Sequence, residues 1–195
     1  MILSDIAHIK PGYPFRRKIV VDPDATTRVI QLRDLNPQGV LNYYRISRAH
    51  LTGKKKPDWV ETGDLLFVAK GQRNIAVCIA QVLMHTVCAP QFFHIQFKSE
   101  CCDTVDPMFI TWQLNQPPCQ NYFLKNSEGS SQTHIRKPIL AQAPIILPDI
   151  EQQKAITRLY LSTLEEAKIV HDILENRRQQ MHIIAAELMA SAASE

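Results

Sequence analysis

The sequence predicts an α+β chain: a body built from short strands and short helices, followed by one long C-terminal helix. Two patterns carry that prediction. Up to about residue 147, short runs rich in β-branched and aromatic residues alternate with turn residues. From Ile150 to Met189 there is neither proline nor glycine, and apolar residues recur at alternating spacings of four and three. Pro148-Asp149 lies between the two patterns and sets the expected division into a body, 1–148, and a helical segment, 149–195.

Five runs read as strands: Ile19–Val21, Arg28–Leu32, Leu65–Ala69, Ile75–Ala80 and Phe92–Phe97. The segments 36–39, 62–64 and 127–130 carry the Asn, Pro, Gly, Asp and Ser residues of turns. Asp106–Leu114 reads as a short helix, with Asp106 placed to cap it and Pro107 at its first position, where a missing N–H costs nothing. Twelve prolines against six glycines point to stiff turns and extended connections.

The long helix opens with Asp149 as N-cap and Glu151 in its first turn, where the helix dipole favours negative charge. Its apolar seam runs Ile156, Tyr160, Thr163, Ala167, Val170, Leu174, Arg177, Met181, Ile184 and Leu188, with Thr163 and Arg177 as the two breaks. A helix of roughly 40 residues is about 60 Å long, more than a body of ~150 residues can cover. The seam therefore predicts pairing with a second helix, from another copy or another subunit; a fold-back onto its own body is the alternative.

Charge is unevenly spread. Residues 10–56 hold eleven Lys and Arg against three Asp, whereas residues 151–195 hold five bases and seven acids. A basic body with a slightly acidic tail points to a polyanionic partner for the body, or simply to a solvated basic face. The N-terminus shows no signal-peptide pattern, no apolar run approaches the ~18 residues of a membrane span, and the five cysteines contain no C-x-x-C pair. The expected setting is the reducing cytoplasm.

Catalytic patterns are weak. The six glycines form neither G-x-G nor a phosphate-binding loop, so no nucleotide or other cofactor is expected. Asn115-Gln116-Pro117-Pro118-Cys119 superficially resembles the N-P-P-aromatic loop of amino-methyltransferases, but Gln116 interrupts it and the aromatic is missing. Pro57-Asp58 near Lys54–Lys56 suggests a metal-dependent nuclease, but Glu61-Thr62-Gly63 lacks the lysine that should closely follow the second acid. His85, Cys88, His94, Cys101 and Cys102 do not form two short-spaced zinc-ligand pairs, so no metal is expected either. Cys102 with His134 could be posed as nucleophile and base, which would make the chain a small intracellular hydrolase.

Several segments, in order, resemble the target-recognition domain of type I restriction–modification specificity (S) subunits. Leu3–Phe15 is similar to the family's opening, L-x-D-I-A-x-I followed by G-x-x-F; Val29–Leu35 to its x-I-x-x-x-D-I/L strand; and Gly63–Gly71 to its G-D-L/I-L-F-x-x-x-G. Phe109–Asn115 resembles its short helix. Gly129-Ser130, Ile135, Leu140, Ile145–Pro148 and Glu151–Ile156 resemble its G-S … I … L … I-x-L-P-x-x-x-Q-x-x-I. The resemblance implies a twisted, partly closed β-sheet with short helices, then a coiled-coil helix. It also implies a non-catalytic subunit that reads double-stranded DNA and recruits methyltransferase subunits and, in restricting systems, a translocating nuclease subunit. Full-length members carry two such repeats per chain and this sequence has one. The resemblance thus implies a half-subunit that rebuilds the two-headed form as a homodimer through its helix, or else a fragment.

On that reading, phosphates would be met by Arg16, Arg17, Lys18, Lys54, Lys55 and Lys56. Base edges would be read by Lys70, Gln72, Arg73 and Asn74, just after a strand, and by Ser130, Gln132, His134 and Arg136. The helix would set the spacing of the two half-sites, roughly one turn of DNA. A DNA-binding regulator or inhibitor without enzyme partners would share the basic body and the helix.

Overall fold

The computed structural model describes residues 1–36, 39–71, 73–81, 84–127 and 133–192, with backbone alone at 133, 191 and 192. The chain divides into two compact units, Met1–Lys154 and Ala155–Glu195. The first is an α+β body. Its elements are α1 (Leu3–Ile6), β1 (Ala7–Pro11), β2 (Arg28–Ile30), β3 (Ser47–Arg48), β4 (Leu65–Val68), β5 (Lys70–Gly71), β6 (Ala76–Cys78), β7 (Thr86–Cys88), β8 (Phe92–Phe97), α2 (Pro107–Asn115), α3 (Pro117–Asn126), β9 (Thr133–His134) and α4 (Lys137–Ala141). The helix α5 (Ile150–Ala192) begins in the body and makes up the second unit.

Where one twisted, partly closed sheet is expected, the strands among the described residues divide among three sheets, none of which closes. The largest has the order β1-β8-β4-β6, antiparallel throughout. A second has the order β3-β2-β7, with β2 and β7 parallel. The third is a two-stranded ribbon of β5 and β9. The fully buried Leu65, Leu66, Phe67 and Val68 explain why β4 reads as a continuous apolar run: both faces of this central strand are covered. Leu66 and Val68 join Val29, Ile30, Val87 and Phe92 in the core between the two larger sheets. Phe67 faces the other way, against the Phe123 ring of α3 at 4.9 Å between centroids.

The helix over 107–115 is capped as predicted: the Asp106 carboxylate accepts from the Met108 N–H at 2.8 Å. The strand expected at Ile19–Val21 is absent. Ile19 packs against the core, but Val20 and Val21 are 72% and 50% exposed, and the run stays a loop. The Asn115–Cys119 segment is the junction of two helices, with prolines at the start of α3, where a helix tolerates them. Asn115 also brackets the edge strand β6: its side chain accepts from Ala76 N–H and donates to Ala76 C=O, both at 2.8 Å. That pairing satisfies backbone groups that an open sheet edge would otherwise present to another chain.

Inside the largest sheet, His94 Nε2 lies 2.6 Å from Asp64 Oδ2, with the His94 ring almost wholly buried. The same oxygen accepts the Glu61 N–H at 2.8 Å, which fixes the turn at Gly63, a residue in the left-handed region at φ +90°. Asp64 thus ties the turn before β4 to the neighbouring strand β8.

Candidate nucleic-acid interface

Four chain ends gather at one end of the largest sheet. Pairing sets Pro11 opposite Phe93, Val68 opposite Phe92 and Phe67 opposite Ala76, so β1 and β4 leave the sheet where β8 and β6 enter it. The loop after β1 carries Arg16, Arg17 and Lys18. The segment after β4 becomes the ribbon strand β5 with Lys70. Arg73 lies between β5 and β6, and the turn between β7 and β8 lies among them.

The two basic triplets, 38 positions apart in sequence, are brought together here. The Tyr13 hydroxyl donates to Gly53 C=O at 2.9 Å, and the Arg16 N–H donates to Thr52 Oγ1 at 3.2 Å. A Cβ at Gly53 would come within 2.6 Å of the Pro14 carbonyl, so only glycine admits this approach. Arg16, Arg17, Lys18, Lys54, Lys55 and Lys56 are all exposed. They are not equivalent. The Lys55 ammonium contacts Asp58 at 2.7 Å, and Lys10 reaches the other oxygen of the same carboxylate at 3.0 Å. Partial burial pushes the Asp58 carboxyl up, but the hydrogen bonds and charges of Lys55 and Lys10 outweigh it and hold it below its ordinary value. Lys55 is thereby partly neutralised, in contrast to its two neighbours.

The ribbon joins the two stretches expected to read bases. Lys70 stands opposite His134 and Gly71 opposite Thr133, and the Ile135 N–H donates to Ala69 C=O at 2.9 Å. Lys70, Arg73 and Arg136 are exposed, and His134 is half-buried. Asn74 departs from the expectation. It is 6% exposed, and its side-chain amide donates to Val68 C=O at 2.9 Å, so it braces the turn out of β4 and offers no amide to a base. The Gln120 amide of α3 holds the same turn from the other side, donating to Asn74 C=O at 2.9 Å and Leu114 C=O at 2.7 Å. Gln72, Ser130 and Gln132 lie outside the described residues. Beside the ribbon is a cleft of about 480 Å³ lined by Leu32, Leu35, Val68, Ile75, Asn36 and Arg73.

The arrangement offers cations on adjacent loops, and the forked donors of Arg73 and Arg136 next to a two-stranded ribbon. Thiol chemistry finds little support: burial pushes the Cys78 and Cys88 thiols up to about 12 and Cys119 up to about 11, which keeps them protonated at neutral pH. Cys102 Sγ contacts the Lys98 carbonyl at 3.9 Å, while His134 stands on the ribbon. Among the described residues, no group of three or more His, Cys, Asp or Glu side chains is placed to hold a metal.

No family model and no curated protein matches the sequence. Solved structures do match. The type I restriction–modification S subunit from M. genitalium superposes with a TM-score of 0.57 at 16% identity, over 85% of this chain and 38% of that one. The body-plus-helix fold is that of a type I S subunit. The HsdS subunit from Thermoanaerobacter tengcongensis matches with a TM-score of 0.52 at 15% identity, over 86% of this chain and 37% of its own. A chain from a structure of type I R-M complex assembly and conformational transition matches with a TM-score of 0.52 at 15% identity, over 86% and 38%. The present chain therefore spans well under half the length of the S subunits whose fold it shares. No described helix is long and apolar enough to cross a membrane.

Helix α5 makes up the second unit. It is 43 residues long, about 65 Å at 1.5 Å per residue. Of the seam residues, Ile156 and Tyr160 are half-buried, and Thr163, Ala167, Val170, Leu174, Arg177, Met181, Ile184 and Leu188 are exposed. Leu159, Ile169, Ile173 and Ile183 are exposed next to seam positions, so the apolar stripe is wider than the seam alone.

Proposed function

We propose that this chain is a non-catalytic, sequence-reading subunit of a type I or type I-like restriction–modification system, in which residues 1–148 bind one half of a bipartite target in double-stranded DNA. The observation that carries the reading is the convergence of two basic triplets and the Lys70–His134 ribbon at one end of a single sheet. In this reading, Arg16, Arg17, Lys18, Lys54 and Lys56 neutralise phosphates, Lys55 contributes less, and Lys70 and His134 of the ribbon, with Arg73 and Arg136 next to it, approach the bases. The likeness of fold to S subunits supports it.

Segment 149–195 is the spacer and dimerisation element. Val170, Leu174, Met181 and Leu188 are each more than half exposed in the single chain, and a stripe of that length stays wet unless a second helix covers it. A second copy would restore the two heads that a longer S subunit carries in one chain, and would hold two half-sites at a set separation. Methyltransferase subunits, and a translocating nuclease subunit where restriction accompanies methylation, would supply the chemistry.

The test is titration of the full chain with duplex DNA at several salt concentrations, together with its mass in solution. The reading predicts affinity that falls linearly in log–log form with salt, and a mass near twice 22.2 kDa. Affinity indifferent to salt would reject the nucleic-acid reading; a strict monomer would reject the dimer.

A further inference from the structure

The turn between β7 and β8 stands between the basic loops and the ribbon, and it is held unusually firmly. Ala89 to Phe92 form a β-turn closed by the Phe92 N–H donating to Ala89 C=O at 3.0 Å, with Pro90 in the position where its ring presets the backbone. Three other segments grip the same turn. The Tyr13 N–H donates to Cys88 C=O at 2.8 Å and the Gly12 N–H to Phe92 C=O at 2.9 Å. The Ala89 N–H donates to Ile30 C=O at 2.9 Å. The Ala69 and Lys70 N–H groups both donate to Gln91 C=O, at 2.8 and 3.3 Å. A Cβ on Gly12 would meet the Ala89 carbonyl at 2.1 Å, so glycine alone lets β1 approach so closely.

At the tip of this turn, with its main chain clamped and its side chain exposed, is Gln91. A carboxamide presents a donor and an acceptor side by side, the pattern that pairs with adenine N7 and N6–H in the major groove. Clamping the backbone leaves only side-chain rotamers to be ordered on contact, which favours a directional hydrogen-bonding pair. The two amide hydrogen bonds into its carbonyl also fix Gln91 relative to Lys70, the first residue of the ribbon.

We infer that Gln91 is a specificity-determining residue: its side-chain amide reads an adenine edge in the half-site, beside the bases approached by the ribbon. This rests on the DNA-recognition reading above and adds to it a reader that lies in neither of the two stretches named from sequence.

The experiment is selection of bound sequences from a randomised duplex library by the full chain, compared with Gln91→Ala and Gln91→Glu. Both variants keep the main-chain carbonyl that Ala69 and Lys70 use. The wild type is expected to enrich a motif with adenine at one position. Gln91→Ala should flatten that position alone, lowering discrimination there roughly tenfold, with the remaining motif and the salt dependence kept. Gln91→Glu should move the preference at that position toward cytosine, whose N4 amino group a carboxylate accepts. An unchanged motif in both variants overturns the inference. So does a uniform loss of affinity with a shallower salt dependence, which would make Gln91 a backbone contact. If the wild type itself binds duplex DNA without base preference, or not at all, the recognition reading fails and this inference with it; that outcome is distinct from the other two.

Discussion

The Tyr13 hydroxyl and the Gly53 carbonyl lie 2.9 Å apart, and their hydrogen bond lays the loop bearing Arg16, Arg17 and Lys18 against the loop bearing Lys54, Lys55 and Lys56. Tyr13 is itself 5% exposed, packed in the core between the sheets, so the contact fastens both loops to a rigid base. Tyr13→Phe keeps the ring and removes the donor. The expected loss of stability is about 1 kcal/mol, read from thermal or denaturant unfolding. Affinity for duplex DNA should fall by a few-fold, because the two loops no longer share one anchored register. A variant that loses stability but binds DNA as tightly as wild type would separate the anchor from the interface.

Phosphate neutralisation leaves a signature in salt. Replacing Arg17 and Lys54 with Ala should reduce the slope of log affinity against log salt by about 0.9 for each phosphate no longer neutralised, uniformly across sequences. Lys55→Ala should change it less, since its ammonium is held by Asp58. Equal slopes for wild type and the Arg17/Lys54 pair variant would place the DNA elsewhere on the body.

The seam on α5 can be tested by charge. Val170 and Leu174 are 57% and 52% exposed in the single chain and lie on one stripe. Replacing both with Lys puts four ammonium groups into a paired dimer. Light scattering should then give a mass near 22.2 kDa in place of twice that value, and high-affinity binding to a bipartite site should be lost with it. A double variant that stays dimeric would show the seam to be misassigned.

Asp34 should carry a pH signature of its own. Its carboxyl is raised above the ordinary range: burial dominates, opposed by the Gln31 N–H hydrogen bond at 2.8 Å and by the charges of Arg33 and Arg45. A carboxylate raised in the folded state binds its proton more tightly there than in the unfolded chain. The stability this provides is present below the unfolded value, about 3.9, and is lost as pH rises through the folded one. Asp34→Asn keeps an acceptor for Gln31 and carries no charge. It should raise the melting temperature at pH 7 relative to wild type, with the gain shrinking toward pH 4. A gain that does not vary with pH would trace to packing and not to the buried charge.

Much of the fold was legible along the chain. Phe92–Phe97 matches the observed strand from end to end, and Asp106 caps its helix, because alternation and capping are local properties. The proline-free, glycine-free run from Ile150 likewise specified a long helix by itself. Local patterns misled at Ile19–Val21, where β-branched residues have no partner strand. They were silent on two-residue strands such as β5 and β9, which exist only because each supplies the other's hydrogen bonds.

Residue type alone identified the basic triplets and the polar stretches; which of them meet was a tertiary decision. Tyr13 and Gly53 are 40 positions apart and Lys70 and His134 are 64 apart, and no spacing rule connects them. Burial decided the rest: it took Asn74 into the turn out of β4, and it left Gln91 exposed on a turn gripped by three other segments of backbone. The sequence by itself determined the elements and the charge they carry, since those depend on neighbours along the chain. Only the packed sheets determined which side chains share an end and which are enclosed, since that depends on neighbours in space.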